Sequence, residues 1–394
     1  MYLVRIYTLP IAMMMLGVFF TLLFMAYARP ALRVLYYSRH FGTLEDFKYF
    51  TRRALQMDPD YVSPLDYYLP FGLNLEAAPH LINQHRESFT RYLTSYDLIV
   101  VCDTIPDALP FLMLKKQEQD QFQTQNLRSL DIALSSTYNA KIVLQVTNRF
   151  DFWVDHSHAD AYHQFMASTI DMPDVHWLVN NPFEIKYMAS RNVILPDRTT
   201  IIRPFGYSDV PLSRSATSQN HCVYVNRTPF DQRIVTNQVR SPFLKGVSDR
   251  YGGPLTLAED KCFVHFPYQV SVMKMFENFY AGVITLIPSR AFLQSLLDKY
   301  PQFLGDVREG MRLDPKEYVE FYNPKYNHFF IEFHDWEELE TMLDMPADEF
   351  ASHYNTVSLK ADMMVFAKAE REESYRTMCL FMNTVLPGFL GRIA

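Results

Sequence analysis

Cysteine is scarce in this chain. Only Cys102, Cys222, Cys262 and Cys379 occur in 394 residues, far apart, with no CxxC pair and no zinc spacing. That excludes a cysteine-rich scaffold. Cys102, Cys222 and Cys262 sit in or beside apolar runs, where a free thiol acts as a small buried hydrophobe, so no disulfide framework is expected. Runs of lysine or arginine are also missing, and the net charge is −7. Nucleic-acid binding, which rests on basic patches against phosphates, is therefore excluded. No internal repeat or low-complexity tract is visible. What is present suits a folded body: 48% hydrophobic and 21% charged residues, over a length that holds two domains. Aromatics reach 15%, and core packing accounts for them first.

Leu9 to Ala28 is nearly all apolar and carries no charge. Its length matches the roughly 20 residues a helix needs to cross a bilayer. Ala26-Tyr27-Ala28 fits a small-x-small cleavage pattern, but the apolar stretch exceeds the core of a signal peptide, which favours an uncleaved anchor. Arg5 and the amino terminus lie on one side, and Arg29, Arg33 and Arg39 on the other. Counting positive charge puts the main body in the cytosol. The sequon Asn226-Arg227-Thr228 points instead to the lumen, and both orientations stay open.

Residues 29–90, rich in Tyr, Pro and Arg, read as a stem and the start of a first domain. Asp58-Pro59-Asp60 has the form of a DxD metal motif, yet no apolar strand precedes it, and it reads as a turn. Strands then alternate with connections: Tyr96–Cys102, Lys141–Val146, Val175–Val179 and a strand and turn over Thr199–Gly206. A polar tract at 207–220 serves as linker. Strands resume at His221–Val225, Lys261–Phe266, Val283–Ile287 and Phe329–Phe333, and residues 361–394 form a C-terminal helix. Such alternation predicts parallel sheets with helices on both faces, and hence two Rossmann-like doubly wound domains, 91–206 and 221–360, facing across a cleft.

The segment Phe263 to Ser289 is the most informative. It reads as strand, polar loop, short helix and second strand, with Gly282 ending the helix. A carboxylate at the open end of such a unit stands where doubly wound folds bind nucleotides, which makes Glu277 a candidate ligand for a ribose. In the first domain, acceptor binding is expected on the loops after the strands, where Asp103, Asn148, Arg149 and Asp151 are the candidates and Asn148-Arg149-Phe150-Asp151 is the most polar exit. Asp155, His156, His158, Asp160 and His163 look metal-like, but the His156/His158 spacing splays the rings on a helix, and a polar helix start fits better.

Val179-Asn180-Asn181-Pro182-Phe183-Glu184, Ile202-Arg203-Pro204-Phe205-Gly206 and Phe276-Glu277-Asn278 with Ala281-Gly282-Val283, in that order, resemble a GT-B glycosyltransferase. The nearest pattern is the retaining group with a Glu-x7-Glu donor motif, over about residues 95–345. The resemblance implies that Glu277 holds the donor ribose. The first Glu of the motif is replaced by Gln269, which can hydrogen-bond a sugar hydroxyl but carries no charge. It also implies basic residues against the diphosphate after the first strand of the second domain, where Arg227 and Arg233 stand, with Lys245 as a further choice. Ser271, Asn278 and His265 complete the candidate donor site; Gln269 and Ser271 can alternatively cap the helix.

The expectation is thus a membrane-anchored glycosyltransferase of the Golgi or endoplasmic reticulum. It would move a sugar from a nucleotide-sugar donor to a glycan, lipid or protein acceptor, with no metal and no further cofactor. Some of the aromatic excess can then serve as sugar-stacking platforms. A non-catalytic glycan- or nucleotide-binding relative is the alternative, and an epimerase acting on nucleotide sugars is a third reading.

Overall fold

The computed structural model describes residues 32–67, 72–126, 138–196, 199–207, 220–225, 228–247, 252–304 and 307–391. Val34–Ala394 form one compact unit; of the other, Met1–Arg33, only Leu32 and Arg33 are described. The proposed anchor at 9–28, Asn226 and Arg227 of the sequon, and 208–219 of the linker lie outside the described residues. Among the described residues no helix is long and apolar enough to cross a membrane.

Two parallel sheets organise the chain. The first runs β2-β1-β3-β4-β5-β6. Its strands are β1 (Val34–Ser38), β2 (Asp60–Val62), β3 (Leu98–Cys102), β4 (Lys141–Val146), β5 (Val175–Val179) and β6 (Thr200–Ile201). Helices α1 (Phe41–Leu55), α2 (Ala77–Ser95), α3 (Leu109–Asn126), α4 (Ala159–Ala167) and α5 (Pro182–Ala189) are the crossovers. The second sheet runs β11-β10-β9-β7-β8, from β7 (Cys222–Val225), β8 (Leu244–Val247), β9 (Cys262–Val264), β10 (Thr285–Pro288) and β11 (Phe330–Phe333). Its crossovers are α6 (Pro229–Gln238), α7 (Gly253–Leu257), α8 (Met273–Ala281) and α9 (Arg290–Lys299), and α10 (Trp336–Asp344) follows β11. The last long helix, α11 (Thr356–Val385), packs on α8 and on α1.

Local chemistry explains the elements. β1, β3 and β7 are buried along their whole length, so their apolar runs are continuous rather than alternating. Asn181 and Thr228 accept from the third backbone N–H of α5 and α6, each with proline as the first helical residue. Asp335 caps α10 in the same way. Gly282 ends α8 at φ 69°, as its sequence setting predicts.

Three expectations need correction. Among the described residues of 29–90, read as stem and domain start, none forms a separate stem: Val34–Ser38 is an inner strand between β2 and β3, and α1, β2 and α2 belong to the same half, so the first domain already begins near residue 34. The run Val34-Leu35-Tyr36-Tyr37 is short and sits between arginines, which hides its burial from a composition-based reading. Second, Cys222 and Cys262 form a disulfide with Cα atoms 4.5 Å apart. The two residues are register partners on β7 and β9, a pairing set by strand order and invisible at a sequence separation of 40. Third, the C-terminal helix starts at Thr356 rather than 361.

The link between the halves is tightly held. Arg203 donates to the Asn180 carbonyl at 2.6 Å and pairs with Glu320 of the second half. The Asp46 carboxylate on α1 accepts from Phe205 N at 3.1 Å and Tyr207 N at 3.3 Å. Arg371 on α11 donates to the carbonyls of Phe205 and Gly206, both at 2.6 Å. Gly206 has φ 63°, and a Cβ there would lie 2.7 Å from the Phe276 carbonyl group. The backbone of α8 therefore rests directly on this strap.

Candidate functional site

A cleft of about 1030 Å³ opens at the carboxyl ends of the strands. That is where both strand orders reverse, between β1 and β3 and between β7 and β9, the switch points at which doubly wound sheets bind ligands. From the first half the cleft takes Arg39 to Thr43 after β1, Asp103 and Thr104 after β3, Thr147 and Asn148 after β4, and the Phe152-Trp153 turn. The second half supplies Gly252 to Pro254, Tyr268, Gln269, Ser271 to Lys274 and Glu277.

Glu277 lies one turn into α8 and is half-buried, and its carboxyl has no hydrogen-bond partner among the described residues. Burial, with the nearby Asp46 charge, pushes its pKa up to about 7, against a lowering pull from Lys274. The first turn of α8 is open as well. Val272 stands at the N-cap and provides no side-chain cap, so Gln269 and Ser271 do not cap the helix. Its N–H groups and the positive end of its dipole face the cleft. Lys274 belongs to the same turn and lines the cleft, while its Nζ is buried 4.5 Å from the centre of the Phe263 ring.

Gln269 and Asn148 were expected on opposite sides of the cleft. They meet: Gln269 Nε2 donates to Asn148 Oδ1 at 3.3 Å. Ser271 is buried at the cleft edge near Glu320, whose pKa burial raises against the lowering pull of Arg203 and, more weakly, of Ser271. Asp103 faces the cleft at φ 70°, its pKa raised by burial against the opposing effects of His40, Thr104 and Arg39.

Other candidates are placed elsewhere. Asp151 does not line the cleft; it accepts from Tyr187 Oη at 3.0 Å and bonds His163 Nε2 at 2.9 Å, a fixed internal role. Arg149 lies behind Asn148, over the Tyr187 ring and beside buried Glu184, whose pKa burial lifts to about 8. Arg233 is exposed on α6 and Lys245 is on the edge strand β8, both away from the cleft. His265 is packed between the Phe263 and Phe321 rings and Asn278 points into the interior, so neither faces the cleft. Arg227 is outside the described residues. Asp155 caps a helical turn, and Asp58 pairs with Arg52 at 2.6 Å; among the described residues no group of His, Cys, Asp and Glu could hold a metal.

Sequence reasoning missed Arg39, His40, Lys274 and Trp153. Arg39 is held by Asp107 at 2.5 and 2.8 Å, and His40 caps α1 through its ring. The signal for the first two was the strand–Arg-His-Phe-Gly-Thr–helix transition at 34–43, overlooked with the rest of the stem.

Two parallel α/β halves facing a cleft at their switch points define a GT-B-like architecture. No protein-family model matches the chain, and no curated protein matches it. Among solved structures, a Listeria monocytogenes protein assigned as a UDP-N-acetylglucosamine 2-epimerase is similar at 8% identity and TM-score 0.41, over 89% of this chain and 96% of that one.

Proposed function

We propose that this chain is a nucleotide-sugar-dependent glycosyltransferase. The observation that carries the reading is Glu277: a half-buried carboxyl with no hydrogen-bond partner among the described residues, one turn into a helix whose uncapped N-terminus faces the same cleft. An ionised carboxylate there accepts from ribose hydroxyls, and the open N–H groups with Lys274 match the charge of a diphosphate leaving group. Transfer would break the bond between the anomeric carbon and the diphosphate, release the nucleoside diphosphate, and join that carbon to an acceptor oxygen whose proton passes to the leaving phosphate. Gln269 would bond the donor sugar. Lys274 replaces Arg233 and Lys245 as the phosphate partner in this reading, because it alone of the three lines the cleft.

Residues 9–28 are proposed to anchor the protein, with the body lumenal, since the Cys222–Cys262 disulfide is stable in an oxidising compartment. Glycosylation of Asn226 in cells would support that side. The Gln269–Asn148 bond favours a second reading, a non-catalytic binding relative, because it occupies the position where the retaining pattern has a carboxylate.

The test is a panel of UDP-, GDP- and ADP-sugars offered to the full chain with acceptor mixtures, read as nucleotide release. One donor should turn over and Glu277→Ala should abolish it. Binding without turnover would favour the second reading, and equal turnover by Glu277→Ala would reject the assignment of Glu277.

A further inference from the structure

The walls of the cleft differ in chemistry. The second half offers helix N–H groups, Lys274 and Glu277, whereas the first half offers exposed rings. Trp153 is 48% exposed and lines the cleft; Phe41, at its mouth, is 60% exposed. By contrast Trp177 is only 5% exposed, in the core.

We propose that the acceptor expected at the first-half strand exits is a carbohydrate, with a sugar ring stacked on the Trp153 indole; this rests on the transferase reading above. Trp153 has φ 69°, a conformation that bulky L-residues rarely adopt. The turn that imposes it is braced by Phe152 N to Arg149 O at 2.9 Å and Val154 N to Asp151 O at 3.0 Å. Gly72 closes the back of the turn, where a Cβ would lie 3.1 Å from both the Phe152 carbonyl and Trp153 Cβ. The Phe152 ring stacks under the indole at 5.1 Å and 24°, and the Arg39 guanidinium sits 5.8 Å from it, itself fixed by Asp107. The ring is thereby held in one orientation toward the cleft.

Polar groups around it decide the ligand class. Asp103, Asn148 and His40 line the same wall. A pyranose satisfies both features, with its C–H face on the aromatic surface and hydroxyls toward the carboxylate and amide. A polyprenyl chain would desolvate Asp103 and Asn148 without replacing their hydrogen bonds.

Calorimetry on the full chain with maltotetraose, cellotetraose, chitotetraose and mannotetraose, with UDP and GDP titrated separately, tests this. At least one oligosaccharide should bind. Trp153→Ala should weaken it about tenfold, the scale of one lost aromatic contact. Trp153→Phe should recover most of the affinity, and nucleotide affinity should stay within twofold in both variants. Nucleotide binding with no oligosaccharide binding overturns the carbohydrate subsite and leaves the nucleotide reading standing; absence of both overturns the two together. Equal oligosaccharide affinity in Trp153→Ala, or Trp153-dependent binding of a polyprenyl phosphate or a peptide instead, also rejects it.

Discussion

At the residue scale, Glu277 couples the chemistry of the cleft to pH. Its folded pKa of about 7 exceeds the value of 4.5 for an ordinary glutamate. The folded state therefore holds the proton more tightly than the unfolded chain. As pH rises from the lower value to the upper one stability falls, and the full penalty is present above pH 7. That penalty amounts to at most about 3 kcal/mol. Glu277→Gln should accordingly raise the denaturant midpoint at pH 8 and change little at pH 4. Function should show the opposite sign. Ribose hydroxyls need the ionised carboxylate, so nucleotide affinity measured by calorimetry should fall as pH drops from 8 to 6, by up to about tenfold per unit once below the pKa. In Glu277→Gln that slope should vanish and affinity at pH 8 should be lower by about 10- to 100-fold, the cost of losing hydrogen bonds to a charged group. An unchanged pH slope in the glutamine variant would remove Glu277 from the nucleotide site.

The strap at 203–207 is what positions α8, and its contacts are of a kind that mutation reads cleanly at the element scale. Arg371 makes two charge-assisted bonds to the carbonyls of Phe205 and Gly206. Arg371→Ala leaves those buried carbonyls unsatisfied and should cost about 2–4 kcal/mol in urea unfolding. Gly206→Ala meets both a left-handed backbone and the Phe276 carbonyl group at 2.7 Å. It should cost at least about 1–2 kcal/mol and weaken nucleotide binding as well, because relief of the clash moves the turn that bears Glu277. A destabilised Gly206→Ala with wild-type nucleotide affinity would show that α8 can shift without affecting the site. Elements differ in how far the sequence discloses them. Lys141–Val146 and Val175–Val179 are read from sequence with the observed bounds, since each is a mainly apolar run, broken by Gln145 in the first and His176 in the second, between polar loops. β2 and β8 are short and partly exposed, with little apolar pattern to read, and β1 was obscured by its arginine neighbours.

At the scale of the whole molecule, the halves are joined by the Arg203–Glu320 pair, by the strap and by α11 lying on both. The disulfide closes a 40-residue loop within the second half. In a chain-entropy account, a loop of that length restricts the unfolded chain by about 4 kcal/mol. The Cys222→Ala, Cys262→Ala double variant should lose up to that amount of stability, and dithiothreitol should affect the wild type but not the variant. In protein taken from cells and alkylated after denaturation, only Cys102 and Cys379 should react. Alkylation of all four would place the body in a reducing compartment and reverse the proposed orientation.

The sequence by itself determined the two-sheet α/β plan, the helix carrying Glu277 and its stop at Gly282, because buried parallel strands and helix caps are written in runs and single residues a few positions apart. Only the tertiary structure decided which candidates share a cleft. It brought Gln269 to Asn148, kept Arg233 and Lys245 away, turned His265 and Asn278 inward, and paired Cys222 with Cys262. Those outcomes depend on strand order and on which face of each element is buried. Both arise from contacts between residues far apart in the chain, and local pattern carries no record of them.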